Sequence, residues 1–230
     1  MDTNRITALA LIVPPVIAMV AWFIVGFVVL DGVGPDDPQK FLGELAANSD
    51  TVKFSLPIIT LLFLIGVGAV GYIKSSMRGG TGHYIASFGW FLVLIGAAGQ
   101  LAETSLTIAT AEAAHGGNMP VASSMFAAAQ SIGAVTTAFS MLGFALIGVG
   151  ILQQKNFSPL LAGLMIVVGI YTLVFCLFDY ESQLIVIGYL GIVLSFVLLG
   201  VVLPDSDTTS FGDPPESPCL GNCCDAIHSG

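Results

Sequence analysis

The stretch YIASFGWFLVLIGAAGQLAETSLTIAT, residues 84–110, decides the fold. From Tyr84 to Ala102 it runs 19 positions without a charge, then continues past Gln100 and Glu103 with no turn signal. A membrane-spanning barrel strand takes about ten residues and alternates apolar with polar. This run is longer and unbroken, so it reads as a helix. A helix rises ~1.5 Å per residue and needs ~20 residues to cross the hydrocarbon of a bilayer.

The same pattern repeats on both sides of it. Residues 6–30 hold 25 positions without a charge, 54–73 hold 20, and 156–178 and 182–204 hold 23 each. Between 113 and 154 there is no Asp, Glu, Lys or Arg. The spacing predicts six crossings, at about 6–30, 54–74, 84–111, 121–152, 158–178 and 183–203. Composition agrees: 55% of the chain is hydrophobic and 9% is charged, whereas a soluble domain carries about 25% charged residues. The expected fold is therefore all-α, a polytopic membrane protein with a six-helix transmembrane bundle over residues 1–204. Its partner in solvation is the lipid bilayer.

Residues 6–30 exceed the ~7–15 apolar positions of a signal-peptide core, and no A-x-A site follows, so they read as a retained anchor. Arg5, Lys74, Arg78 and Lys155 fall on one side of the six-span topology, and Lys40 and Lys53 on the other. Basic residues favour the cytoplasm, which places both termini there.

Short connections, SSMRGGTG, QQKNFSP and DYES, make consecutive spans antiparallel neighbours. Glycines recur within the apolar runs, as expected where helices pack closely in lipid. Pro14 and Pro15 remove backbone donors from the first span and predict a kink. Tyr72, Tyr84 and Tyr180 sit near span ends and suit interfacial belts. The first loop, residues 31–52, is the long one. Asp37 before Pro38 predicts an N-cap with proline at the first helical position. Phe41, Leu42 and Leu45 would share one face of a short helix lying on the outer membrane surface; a partly ordered acidic loop is the other reading.

Polar residues inside the spans are few. Glu103 lies 19 residues beyond Tyr84, ~28 Å along the helix, near the outer boundary of the hydrocarbon. Gln100 shares its face. Gln130 and Ser131, on the returning span, reach the same level, and Thr136, Thr137 and Ser140 continue the strip. A charged carboxylate facing lipid costs about 2.5–3.5 kcal/mol at the bilayer centre and less near the edge. Glu103 is therefore expected to point toward the fourth span. The readings left open are a proton- or cation-handling carboxylate at the mouth of a cavity, a polar anchor between packed helices, and a residue snorkelling to outer water.

Glu112, His115, Asp179 and Glu181 gather on the same outer side, with ligand types suited to a divalent metal but no metal-site spacing. Residues 205–230 form an acidic, proline-containing tail expected to be disordered. It carries Cys219, Cys223, Cys224 and His228, the right number and type of donors for zinc or copper(I) in an unfamiliar spacing. Lipidation of the adjacent cysteines and plain free thiols are the alternatives.

There is no G-x-S-x-G, no H-E-x-x-H and no P-loop, and no opposed histidines for a haem. The expectation is accordingly no enzyme and no cofactor. Six Lys plus Arg in 230 residues argue against nucleic acid as a partner.

The segment GFALIGVGILQQKNFSPLLAGLMIVVGIYTLV, residues 143–174, resembles the helix–short turn–helix centre of a group of uncharacterised prokaryotic six-helix membrane proteins. Gly143, Gly148, Gly150, Pro159, Gly163 and Gly169 carry the likeness. The aromatic residue which that group places soon after the proline is missing here. The resemblance implies a six-helix membrane fold and supplies no activity. The expected function is a structural or partner subunit of a membrane assembly, with a membrane protein or a second copy as partner. The alternative is a small-solute or ion transporter or channel that uses Glu103.

Overall fold

The computed structural model describes residues 3–155, 157–180, 182 and 184–203. Among them are seven α-helices and no strand: α1 Thr3–Ile24, α2 Pro38–Ala47, α3 Ser49–Ser76, α4 His83–His115, α5 Met119–Gln154, α6 Pro159–Phe178 and α7 Ile185–Val202. A π turn, Val25–Val29, prolongs α1, and the helix runs through Pro14 and Pro15. All but α2 are long and apolar enough to cross a membrane, six in total among the described residues. They match the six runs expected from the sequence.

The spans form a ring in chain order. Each packs against its sequential neighbours, and α7 closes back on α1. We call the end bearing Thr3 and Val202 the proximal face and the other the distal face. In lipid the hydrophobic effect does not drive helices together, so close contact must come from shape. The α4–α5 seam shows how. Gly82, Gly89 and Gly96 recur at every seventh position of α4, the 3.5-residue repeat of a left-handed crossing. They meet Gly150, Gly143 and the Thr136–Ser140 turn of α5. A Cβ on Gly89 would stand 2.6 Å from the Gly143 carbonyl oxygen, so the two backbones touch. On the other side of the ring, Gly66 of α3 is the notch that receives the Pro15 ring of α1.

The proximal half is filled. Phe144, Phe196, Ile73, Met77, Ile147, Met165 and Leu199 are fully buried there. Phe63 stacks on Phe196 with ring centroids 6.3 Å apart, and Phe144 meets Phe196 edge-on at 5.4 Å. These three rings, from α3, α5 and α7, make an aromatic layer across the middle of the bundle.

The distal half is roofed by α2. Asp37 Oδ1 accepts a hydrogen bond from the Lys40 backbone N–H at 3.3 Å, with Pro38 at the first helical position, as the sequence predicts. The apolar face turns into the bundle instead of lying out on the lipid. Leu42 and Leu45 are buried with Val52, Ala111, Ala114 and Phe126, and Phe41 packs on Phe126 at 5.4 Å. The physical reason is length. α4 and α5 run past what a bilayer needs, and their projecting ends give α2 an apolar wall to lean on. His115 Nδ1 bonds the Ala46 carbonyl at 2.9 Å and fixes the roof to α4.

Candidate functional site

The spacing of seven that places Gly82, Gly89 and Gly96 on the α4–α5 seam reaches Glu103 next. The carboxyl group therefore turns inward toward α5, where the facing residue is Gly133. A Cβ at Gly133 would lie 2.6 Å from the Glu103 carboxyl carbon and 2.7 Å from the Tyr180 hydroxyl. The missing side chain makes the room in which these two groups meet. Tyr180 donates to Glu103 Oε1 at 3.2 Å, and Gln100 Nε2 donates to Oε2 at 3.2 Å.

Tyr180 is the residue that sequence reasoning misplaced. It does not sit in an interfacial belt; its ring is half-buried and its hydroxyl reaches into the bundle from the α6–α7 turn. Burial pushes the phenol well above its ordinary range, so it stays protonated and acts as a donor. The hydroxyls of Thr137 and Tyr189 lie beside it, and those two are themselves 3.3 Å apart.

Glu103 lines a cavity of about 490 Å³ in the distal half. Its floor is the aromatic layer, through Phe63. Its walls come from α1, α3, α4, α5 and α7, with α2 and the loop before it above. No α6 residue takes part. Most of the surface is apolar, with Met19, Trp22, Phe41 and Phe126 among the contributors. The polar lining groups are Gln100, Glu103, Thr104 and Thr107 on α4, Thr60 on α3, Gln130 on α5, Tyr189 on α7, Tyr180 and Ser182 in the turn before it, and Asp36 in the loop before α2. Thr60 and Thr104 share a 2.9 Å hydrogen bond across the α3–α4 contact.

The polar residues singled out in the sequence separate into three places. Gln100, Glu103 and Gln130 line the one cavity. Ser131, the next residue on the helix, is turned away; it is exposed, and its hydroxyl bonds the Ala127 carbonyl at 2.9 Å. It shares a second hollow with Gln130, Asp179 and Tyr180. Glu112 pairs with Lys53 of α3, the only salt bridge among the described residues, and both side chains are more than half exposed. His115 serves the α2 roof. Among the described residues no three His, Cys, Asp or Glu side chains come together as a metal site. Glu181, Cys219, Cys223, Cys224 and His228 lie outside the described residues.

Chemically, the site is one carboxylate held by two neutral donors. Each carboxylate oxygen can accept about two hydrogen bonds, and one at each is taken. Among the described residues no Lys or Arg pairs with it. Such a group can take up a proton or hold a cation. The fold and site together define a class: a six-span helical bundle with a cavity that reaches in from the distal half and stops at an aromatic floor. Compared with protein-family models, with curated proteins and with solved structures, the chain finds no match.

Proposed function

We propose that this is a multi-pass membrane protein whose distal cavity binds a small solute, with Glu103 as the polar anchor of the site. The observation that supports this most directly is the position of the carboxylate. It is on a cavity wall, fixed by Tyr180 and Gln100, with acceptor capacity left over. A purely structural anchor is satisfied by its neighbours and borders no space. Pockets for small molecules have volumes of ~300–1,000 Å³, mostly apolar walls and a few convergent polar groups, and this cavity has each of these. The excess of basic residues, four against two, favours a cytoplasmic proximal face and, with it, a cavity in the outer half of the membrane.

The second reading is a partner subunit of a membrane assembly. It is favoured by the filled proximal half, which leaves the bundle without a passage from face to face among the described residues. Native mass spectrometry of the protein released from membranes in a mild detergent tests the two. The cavity reading expects a small-molecule adduct that is lost in an Ala129→Trp variant, which fills the cavity. A stoichiometric second polypeptide with no small adduct overturns it in favour of the subunit.

A further inference from the structure

The cavity carries more information than its anchor. Among its described lining residues only two are charged, Asp36 and Glu103, and both are acids; no described Lys, Arg or His lines it. The two differ in place. Glu103 is deep and hydrogen-bonded, while Asp36 is exposed, in the loop that leads to α2.

The mouth is marked by residues that both line the cavity and face outward. Phe27, in the π turn, is 66% exposed, and Trp22 is 40% exposed. Ser182, just before α7, and Val186, in its first turn, also line the cavity. α1 and α7 touch lower down, where a Cβ on Gly200 would lie 2.7 Å from Ile12. The exposed lining residues of α1 and its π turn, Trp22 and Phe27, lie toward the distal face, where apolar α1 gives way to the acidic loop.

Resting on the cavity reading above, we infer that the occupant is a lipophilic organic cation, an ammonium carried on an apolar body. Asp36 gathers it at the mouth, and Glu103 holds the ammonium inside. The apolar body lies against the walls, where aromatic faces such as Trp22, Phe63 and Phe126 also attract a cation. An anion meets two like charges and no counter-charge. A bare metal ion finds one carboxylate and leaves the apolar walls unused. A molecule of this class concentrates at the membrane–water boundary, and the mouth opens there.

The probes are a matched trio of one shape: 4-phenylbutylammonium, 4-phenylbutanol and 4-phenylbutyrate. Each is titrated by equilibrium dialysis against the full chain in phosphatidylcholine nanodiscs, with empty nanodiscs subtracted. The expected result is that the ammonium binds at least tenfold more tightly than the alcohol. Glu103→Gln then removes the preference for the ammonium over the alcohol, and Ala129→Trp blocks both. Equal binding of ammonium and alcohol, abolished by Ala129→Trp, overturns the cation inference and leaves the cavity reading standing. Tightest binding of the carboxylate overturns the inference in the same way. If no probe binds wild type above empty nanodiscs, both the inference and the reading under it fall. Should Glu103→Gln not yield folded protein, the ranking of the three probes on wild type still decides.

Discussion

Tyr180, in the turn between α6 and α7, donates its phenolic proton to Oε1 of Glu103 at 3.2 Å and so ties that turn to the middle of α4. The two groups meet in the space left where α5 has no side chain at Gly133. Losing one partner of a buried hydrogen bond costs ~1–3 kcal/mol. Tyr180→Phe should therefore destabilise the bundle by about 1–2 kcal/mol in mixed-micelle unfolding. In Tyr180→Phe/Glu103→Gln the two effects should not add, with a coupling of ~0.5 kcal/mol or more. Strict additivity would show that the contact has no energetic weight.

Glycine substitutions along the α4–α5 seam should split into two kinds. Gly143→Ala drives a Cβ into the Gly89 carbonyl, which is backbone and cannot swing aside. The cost should be ~1–3 kcal/mol or more, as for other overpacked cores. Gly133→Ala meets only the ends of two side chains. It should separate Tyr180 from Glu103, and the ~1 kcal/mol of helix propensity gained on replacing glycine by alanine should offset part of that loss, so its melting temperature should fall less than that of Gly143→Ala. Melting curves of the two variants in one detergent check the contrast. Equal loss in both would mean that the facing helices can slide apart freely.

The tyrosine also sets an alkaline limit. Burial holds its pKa above the usual value, so the folded state keeps a proton that the unfolded chain gives up near pH 10. The folded state then binds more protons in that range, and stability falls as pH rises through it. Below pH ~10 this contribution is fully present. Unfolding midpoints measured from pH 8 to 11 should drop at the upper end for wild type and drop less for Tyr180→Phe.

The roof and the rim should respond differently. Leu45 is fully buried under α2, and Leu45→Ala should cost ~2–4 kcal/mol. It should also speed amide exchange across 38–47 before the spans respond. Lys53→Ala removes the exposed pair with Glu112 and should leave stability nearly unchanged. A larger effect of Lys53→Ala than of Leu45→Ala would reverse the assignment of roof and rim.

The spans were legible because a helix in oil has a length requirement and almost no tolerance for charge, so uncharged runs such as 6–30 and 54–73 mark themselves. The start of α2 was legible for a local reason: Asp37 and Pro38 act on their own backbone and need no tertiary partner. Glu103 and Gln100 stood out because a carboxyl group in an apolar helix must be satisfied somewhere, and three residues apart they share a face. Tyr180 was not legible. A tyrosine at a span end reads the same in sequence whether its hydroxyl points to the headgroups or into the bundle. Gly133 is one of 27 glycines, and only the residue opposite tells what its missing side chain makes room for. Ser131 was grouped with Gln130 by adjacency, but one step along a helix turns a side chain by about 100°. The direction of α2 depended on how far α4 and α5 project, which local pattern does not state.

Because α7 closes the ring against α1, the cavity has a place in the timetable of synthesis. The ribosome delivers α1 to the bilayer 182 positions ahead of Ile185. Until α7 emerges, Ala8 and Ile12 lack the Gly200 surface, and the wall that carries Val186 and Tyr189 is missing. The cavity is complete only when the newest helix meets the oldest.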